Sequence, residues 1–584
     1  PVGATCRLFC LQMDAHALHQ LHHRAEKNLN MTRLSVSRHL PAIVIILTMA
    51  MIFIIGNASL RPDLMEVRNL VTAREMVYEQ HIMVPTMNGE LRLEKPPLPT
   101  WIAAAVEYVL PDNISAQRTV AAVMAMLWAM WLYLFAKAVT NNRKFSLLAM
   151  LLFATCYPVV LHARTATWDI FCHSFMMGAI YHIYRAMYER QPATKHFVLG
   201  GLLFGLSFMS KGPVSVYALF LPFIITVLWY NTPKLKGKYT ALITGIVIAL
   251  VVSAWWYVYL IAFEPNATSS VINKESGSWI NHNVRPWWYY WRFFLETGIW
   301  SILMLSSIVM WFKRHRNFDF HLSRQWSFFF FWTLTALILL SLMPEKKMRY
   351  LLPMMVPCSL CMTYALEYIS KDTTLGKVFF QINKWAVAII TVALPAVTYY
   401  FIVRNGQMSI FTYVLFTLGC LVIIAWTLMT LKATQTYRLV TIVYALFAWV
   451  ALFIMPNLDS IFGNIDSRKI SSLKDNATLK EMPMLYVTTG EHVFRIDMVY
   501  LTHHKIKEIT PDELFNQDST TFAPHLPIPC ALLSDSTTAV TIHAIARSEG
   551  IAFSDYGNFD DNISSNRKAH YKPGLCNNLT VLHR

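Results

Sequence analysis

Charge is scarce in this chain. Of 584 residues only 14% are Asp, Glu, Lys or Arg, while 55% are hydrophobic, against roughly 25% charged residues in an ordinary soluble domain. Water is therefore not the main solvent for this sequence. Runs 40–60, 151–161 and 239–263 hold no Asp, Glu, Lys or Arg, and roughly 20 apolar residues suffice to cross a bilayer core. No glycine-rich phosphate loop of the P-loop or dinucleotide-binding kind is evident, so nucleotide chemistry is not signalled. The nine cysteines are read as scattered without a CxxC pair, so neither a zinc site nor a redox motif is indicated and most are expected to be packing residues. Residues 1–38 contain basic and His-rich stretches but no apolar core long enough for a cleaved secretion signal, and they are expected to form a cytoplasmic tail. The formal charge of +16 does not point to nucleic acid, because Lys and Arg come in short clusters between apolar runs, a pattern of membrane topology.

What is present is a series of thirteen candidate spans, near 40–60, 118–138, 145–163, 169–184, 196–210, 213–230, 239–263, 293–312, 326–343, 350–368, 385–403, 409–431 and 439–455. Basic residues mark the cytoplasmic loops of such proteins. One set of loops carries them: Lys137, Arg143 and Lys144; Arg185, Arg190 and Lys195; Lys234, Lys236 and Lys238; Lys313, Arg314, Arg316 and Arg324; Lys371, Lys377 and Lys384; Lys432 and Arg438. The opposite loops are poorer in Lys and Arg, except at Glu345-Lys346-Lys347-Met348-Arg349. The expected architecture is a polytopic α-helical membrane domain over 39–455, with outer segments 61–117 and 264–292. A small extracytoplasmic α/β domain over 456–584 follows, where Cys530 and Cys576 either pair or stay free.

Charged residues gather at the outer ends of the spans, and a charge near hydrocarbon is costly unless it is paired or works on a polar substrate. Asp63 and Glu66 lie one helical turn apart, a spacing that puts two carboxylates on one face. Such a pair can supply a general base, or it can pair with Arg68 or Arg74. Glu75 belongs to the same cluster. Lys95 sits in Glu94-Lys95-Pro96-Pro97-Leu98-Pro99, where prolines fix the backbone and hold a cation suited to a phosphate. Asp169 opens the fourth span as a helix cap or as a partner of Arg164. Lys346, Lys347 and Arg349 precede an apolar helix, a place for an anionic group with a lipid tail. Lys211 lies at a further outer end.

These motifs resemble those of the GT-C class of lipid-linked-sugar glycosyltransferases, which includes bacterial aminoarabinose transferases and protein O-mannosyltransferases. The resemblance covers roughly 40–370. It is carried by Arg74-Glu75-Met76, Val84-Pro85, Gly89 and Glu94-Lys95-Pro96-Pro97-Leu98-Pro99, then by Ala163-Arg164-Thr165-Ala166 with Asp169. Ser210-Lys211-Gly212-Pro213, Pro286-Trp287-Trp288-Tyr289-Tyr290 and Arg349-Tyr350-Leu351-Leu352-Pro353 complete it, in the same order. It implies a GT-C fold of thirteen spans in a bacterial inner membrane, with an outward-facing, periplasmic site. The implied donor is a sugar, such as 4-amino-4-deoxy-L-arabinose, on an undecaprenyl-type phosphate; the acceptor is lipid A or a protein hydroxyl.

Lys95 would bind the donor phosphate, joined by Lys211, Lys346, Lys347, Arg349 and Tyr350. Asp169 would match the acidic residue of the second outer loop, with Arg68, Arg74, Glu75 and Arg164 in support. The family's Asp-Glu pair falls on Met65-Glu66, so Glu66 itself or Asp63 would serve as base. Glu94 and His282 are the nearest equivalents of residues associated with a divalent metal in related sites. A lipid or solute transporter is the rival class; it would place its polar site near the bilayer midplane between repeated halves, and no such repeat is apparent here.

Overall fold

The computed structural model describes residues 41–189, 193–230, 232–313, 320–371, 373–458, 467–474, 476–480, 482–516, 518, 520–562 and 571–583. The expected tail and the loop residues Arg190, Arg314 and Arg316 lie outside them. The chain divides into units 1–51 and 52–584; helix α1, Pro41–Ile54, begins in the first, and every later element belongs to the second.

Between α1 and the next long helix lie α2 (Leu64–Tyr78), a two-stranded hairpin of β1 (Thr86–Met87) and β2 (Glu90–Leu91), and α3 (Leu98–Val109). Then come α4 (Ile114–Thr140), α5 (Arg143–Ala154), α6 (Tyr157–His162), α7 (Trp168–Tyr188), α8 (Ala193–Lys211), α9 (Leu221–Tyr230), α10 (Tyr239–Phe263) and α11 (Pro265–Asn281). The bundle closes with α12 (Ser301–Lys313), α13 (Phe320–Leu342), α14 (Met355–Ser370), α15 (Thr374–Thr398), α16 (Ile410–Met429) and α17 (Thr436–Phe453).

Among the described residues eight helical segments are long and apolar enough to cross a bilayer, and the protein is a polytopic α-helical membrane protein. The other five expected spans are helical as well but depart from that standard. Pro41–Ile54 and Val216–Tyr230 are short, 143–162 is broken where Thr155 and Cys156 leave helical geometry, and α7 and α8 carry charged residues, among them Asp169 and Lys211.

Helix α8 packs against both α7 and α10, and glycine makes the second contact close. A Cβ built on Gly201 would stand 2.1 Å from the carbonyl oxygen of Gly245, and one on Gly245 would stand 2.6 Å from that of Phe197. Without hydrophobic drive between helices in lipid, such small-residue contacts let backbones meet and hold them by dispersion. Gly201→Leu is expected to push α8 off α10 and to lower the unfolding temperature in detergent by several degrees; an unchanged transition would contradict this packing.

Cys358 and Cys361 have the CxxC spacing, which corrects the reading of the cysteines as scattered without such a pair. Both lie in α14, which is buried almost throughout, and both are free thiols. Their place is interior packing.

The C-terminal part is a five-stranded sheet in the order β4-β3-β5-β7-β6, with β3 (Met484–Val487) parallel to β4 (Ile506–Ile509) and β5 (Cys530–Ser534). β7 (Cys576–Leu582) runs antiparallel to β5 and β6 (Phe553–Asp560). Alternation with period two sends Met484, Tyr486, Ala531 and Leu533 to one apolar layer and Leu485, Val487, Cys530 and Leu532 to the other. The first layer also contains Val67 and Val71 of α2, so the sheet is seated on the first outer segment. Cys530 lies opposite Leu582 and Cys576 opposite Asp560. That is nearly the whole of β7, about 20 Å at strand rise, and both thiols are free.

Candidate active site

Glu75, on α2, organises the hairpin that leads to Lys95. Its carboxylate accepts hydrogen bonds from Thr86 Oγ1 at 2.6 Å, from the Asn88 amide at 2.5 Å and from the Gly89 amide at 3.3 Å. Asn88 and Gly89 both have left-handed backbone (φ 59° and 79°), the requirement of a tight Asn-Gly hairpin turn. The chain then runs through Glu94 and Lys95 into Pro96 and Pro97, where α3 starts. Gly212, also left-handed (φ 67°), stops α8 directly after Lys211 and leaves that lysine at the helix end.

These elements surround a cavity of about 750 Å³. Nine of the fifteen residues singled out from sequence line it: Arg68, Glu94, Lys95, Asp169, Lys211, His282, Lys347, Arg349 and Tyr350. Lys95 Nζ reaches Glu275 of α11 at 2.9 Å, and Lys274 reaches Glu94 at 3.4 Å. Arg92 meets Glu94 at 3.2 Å and stacks over Trp168 at 5.8 Å. Glu345 is bridged by Lys347 and by the Tyr350 hydroxyl at 3.0 Å. Seven Lys and Arg face five Asp and Glu across the lining, and the Nε atoms of Arg68 and Arg349 are buried without a hydrogen-bond partner among the described residues. Buried polar groups are normally satisfied, so two such guanidinium nitrogens on a net basic wall suit an anion.

The remaining six residues serve elsewhere, Glu75 in the hairpin already described. Asp63 does not act with Glu66 as a carboxylate pair; it is the N-cap of α2, and its carboxylate accepts from the Glu66 amide at 2.8 Å. Glu66 is fully buried, receiving Arg118 Nε and Nη2 at 2.7 Å each and the Ala166 amide at 2.8 Å. Arg74 pairs with Asp112 at 2.7 Å, not with Asp63 or Glu66, and lies against Tyr500 of the C-terminal part. Arg164 donates to the Ile52 and Ile55 carbonyls at 2.8 and 2.6 Å, and Lys346 donates to the Met343 carbonyl. Asp169, expected as a cap or as a partner of Arg164, is buried in an ion pair with Lys211 instead.

Sequence reasoning missed Arg118, Arg92, Glu90 and Glu275. A charge at the outer start of α4 and a Lys274-Glu275 pair in the middle of a polar outer segment were the available signals. Their partners lie 52 and 180 positions away, which spacing along the chain does not show.

Glu94 and His282 do not fit a cation site. Glu94 faces Arg92 and Lys274, His282 lies 3.5 Å from a Glu345 already shared by Lys347, and no group of three or more candidate ligands occurs among the described residues. Carboxylates compensated by cations in this way have little affinity left for a metal.

Burial pushes the carboxyls of Glu94 and Glu345 up. The neighbouring cations outweigh it, Arg92 and then Lys274 at Glu94, and Lys347 at Glu345, so both end below the usual carboxylate range. A depressed folded pKa contributes stability above the unfolded value that is lost as pH falls through the folded one. The unfolding temperature in detergent should therefore hold from neutral pH to about 4.5 and drop below it; a rise on acidification would contradict these pairings.

Residues 94–257 match the family described as dolichyl-phosphate-mannose-protein mannosyltransferase. The undecaprenyl phosphate-alpha-4-amino-4-deoxy-L-arabinose arabinosyl transferase 1 of Pseudomonas fluorescens strain Pf-5 is 25% identical over 314 residues, 52% of this chain and 54% of that protein. The corresponding transferase of Wigglesworthia glossinidia brevipalpis is 21% identical over 424 residues, 71% and 69% of the two chains. The chain spans about half the length of the first curated relatives it matches. The crystal structure of ArnT from Cupriavidus metallidurans bound to undecaprenyl phosphate superposes with a TM-score of 0.67 at 12% identity, covering 93% of this chain and 98% of that one. The fold is the same.

Proposed function

We propose that this chain is a glycosyltransferase of the GT-C type, as its partial match to the protein mannosyltransferase family and its fold support, and that it moves a sugar from a polyprenyl phosphate to an acceptor hydroxyl at the outer face of a bacterial inner membrane. The observation that carries the reading is the cavity itself. Lys95, Arg349 and Lys347 converge on one net basic space, with two guanidinium nitrogens unsatisfied among the described residues.

In this reading the donor phosphate replaces Glu275 on Lys95 and satisfies Arg349. The bond between the sugar's anomeric carbon and the phosphate oxygen breaks, the acceptor oxygen bonds to that carbon, and the lipid phosphate leaves with its charge held by these cations. The acceptor's proton passes to a carboxylate in the cavity. Asp169 is the carboxylate of the three first considered that lines it, with Lys211 fixing its orientation. Glu66, saturated by Arg118 and Ala166, and Asp63, bound as a cap, keep the first outer segment in shape.

Lipid A is the acceptor favoured by the first-loop motif and by the relatives' aminoarabinose transfer; a protein hydroxyl is the alternative, from the mannosyltransferase family match. Mass spectrometry of lipid A and envelope proteins from cells with and without the chain separates them. Loss of a sugar-sized mass from lipid A supports the first, loss from proteins the second, and no loss from either removes both.

A further inference from the structure

The helices that carry the active site at one end enclose a smaller cavity at the other. Helix α7 holds Asp169 in its first turn and Tyr184 and Tyr188 in its last two, and its 21 residues rise about 30 Å, the depth of a bilayer's hydrocarbon core. Tyr184 and Tyr188 line a cavity of about 200 Å³ together with Val139 near the end of α4, Tyr230 at the end of α9, and Arg324, Gln325 and Phe328 near the start of α13. This space therefore lies at the membrane face opposite Lys95 and Asp169. The loops of that face are the basic ones, with Lys137, Lys195 and Lys234 among their charges.

Its polar groups are positioned but not used up. The Gln325 amide donates to the Val139 carbonyl at 3.2 Å, and its carbonyl oxygen accepts from the Tyr364 hydroxyl at 2.7 Å. Arg324 donates from Nη2 to the Tyr230 carbonyl at 2.9 Å, one of the five N–H groups of a guanidinium, and it has no ion-pair partner among the described residues. The hydroxyls of Tyr184 and Tyr230 have no hydrogen-bond partner among the described residues either. Their rings are nevertheless held, Tyr184 by Phe135 at 5.4 Å and Tyr188 at 4.7 Å, Tyr230 by Phe331 at 5.5 Å. The lining contains no Asp or Glu, and the neighbouring Glu189 is taken by Arg185. One guanidinium and two phenols, with no carboxylate to answer them, suit an anion with several oxygens.

We propose that this cavity binds the phosphate headgroup of an anionic phospholipid from the leaflet opposite the active site. The volume is below the roughly 300 Å³ at which drug-sized ligands begin to fit, and a compact headgroup fills it. Next to Tyr230, Leu228 and Trp229 are 59% and 82% exposed, an apolar surface for acyl chains with a Trp at the level it favours, the membrane interface. A soluble phosphate ester would have no use for that surface. Arg324 and the hydroxyls of Tyr184 and Tyr230 donate to the phosphate oxygens, and the bound lipid links the ends of α4, α7, α9 and α13. The site is independent of the transfer reaction. It also differs from diffuse attraction between basic loops and anionic lipid, which needs no tyrosine hydroxyl.

The test titrates the purified full chain in neutral detergent with phosphatidylglycerol and counts bound lipid by native mass spectrometry, with phosphatidylcholine and glycerol 3-phosphate as comparisons. The double variant Arg324→Gln, Tyr184→Phe is expected to weaken phosphatidylglycerol binding at least about tenfold. Tyr184→Phe alone removes a hydroxyl with no protein partner, so folding is untouched, and it should weaken binding about threefold or more. Lys234→Gln with Lys236→Gln, on the same face but outside the lining, should change it by less than about twofold. Phosphatidylcholine should bind wild type at least about tenfold more weakly. Binding that survives both tyrosine variants overturns the proposal, and so does an equal loss in the loop-lysine variant, which would leave only diffuse attraction. Phosphatidylcholine bound as tightly as phosphatidylglycerol removes the anion selectivity, and glycerol 3-phosphate bound as tightly as the lipid replaces the lipid with a soluble phosphate ester.

Discussion

Glu66→Gln is expected to lower stability by about 3–5 kcal/mol, because it removes the only carboxylate paired, among the described residues, with a wholly buried Arg118 and leaves that charge uncompensated. Arg118 also holds the Asn57 and Leu60 carbonyls, at 2.5 and 2.7 Å, so the ion pair ties α4 to the chain entering α2, and the Ala166 amide ties in the approach to α7. The effect should be visible as a large drop in unfolding temperature in detergent, with Asp63→Ala, which loses one N-cap, costing only about 1 kcal/mol. Replacing both partners, as in Glu66→Met with Arg118→Met, should recover part of the loss. A Glu66→Gln protein that unfolds like wild type yet transfers no sugar would return the base to Glu66.

Lys95→Ala should reduce turnover on the order of 100-fold or more, the effect of removing one donor aimed at developing charge, with the unfolding temperature nearly unchanged because the lysine's partner is the half-buried Glu275 on an outer helix. Asp169→Asn should reduce it on the order of 100- to 10,000-fold if it takes the acceptor's proton. The two differ in what else they disturb. Lys95→Ala weakens binding of undecaprenyl phosphate, measured without any sugar, whereas Asp169→Asn leaves Lys95 and Arg349 in place for the phosphate. Full activity in either variant removes that residue from the mechanism.

The membrane class and the helical segments were legible because hydropathy and loop charge are local properties of sequence. The converging cations were legible for a related reason: Lys95, Lys347 and Arg349 each sit at the boundary of an apolar run, and such boundaries share one face of a membrane. Pairing was not legible. Asp63 and Glu66 have helical spacing, but helical spacing says nothing about where the helix begins, and the cap position commits the Asp63 carboxylate to the Glu66 amide. Asp169 meets Lys211 across 42 positions because α7 packs on α8, a fact of tertiary structure. Glu75, grouped with the site by motif, acts one step removed by building the hairpin that carries Lys95.

The most direct measurement is turnover by the purified chain in lipid nanodiscs, supplied with a synthetic undecaprenyl phosphate sugar and a lipid A acceptor. Acceptor-dependent release of undecaprenyl phosphate is expected, matched by a sugar-sized mass gain on the acceptor and suppressed in Lys95→Ala. A donor that stays intact with every acceptor offered, lipid or protein, while wild type and Lys95→Ala bind undecaprenyl phosphate equally, would contradict it.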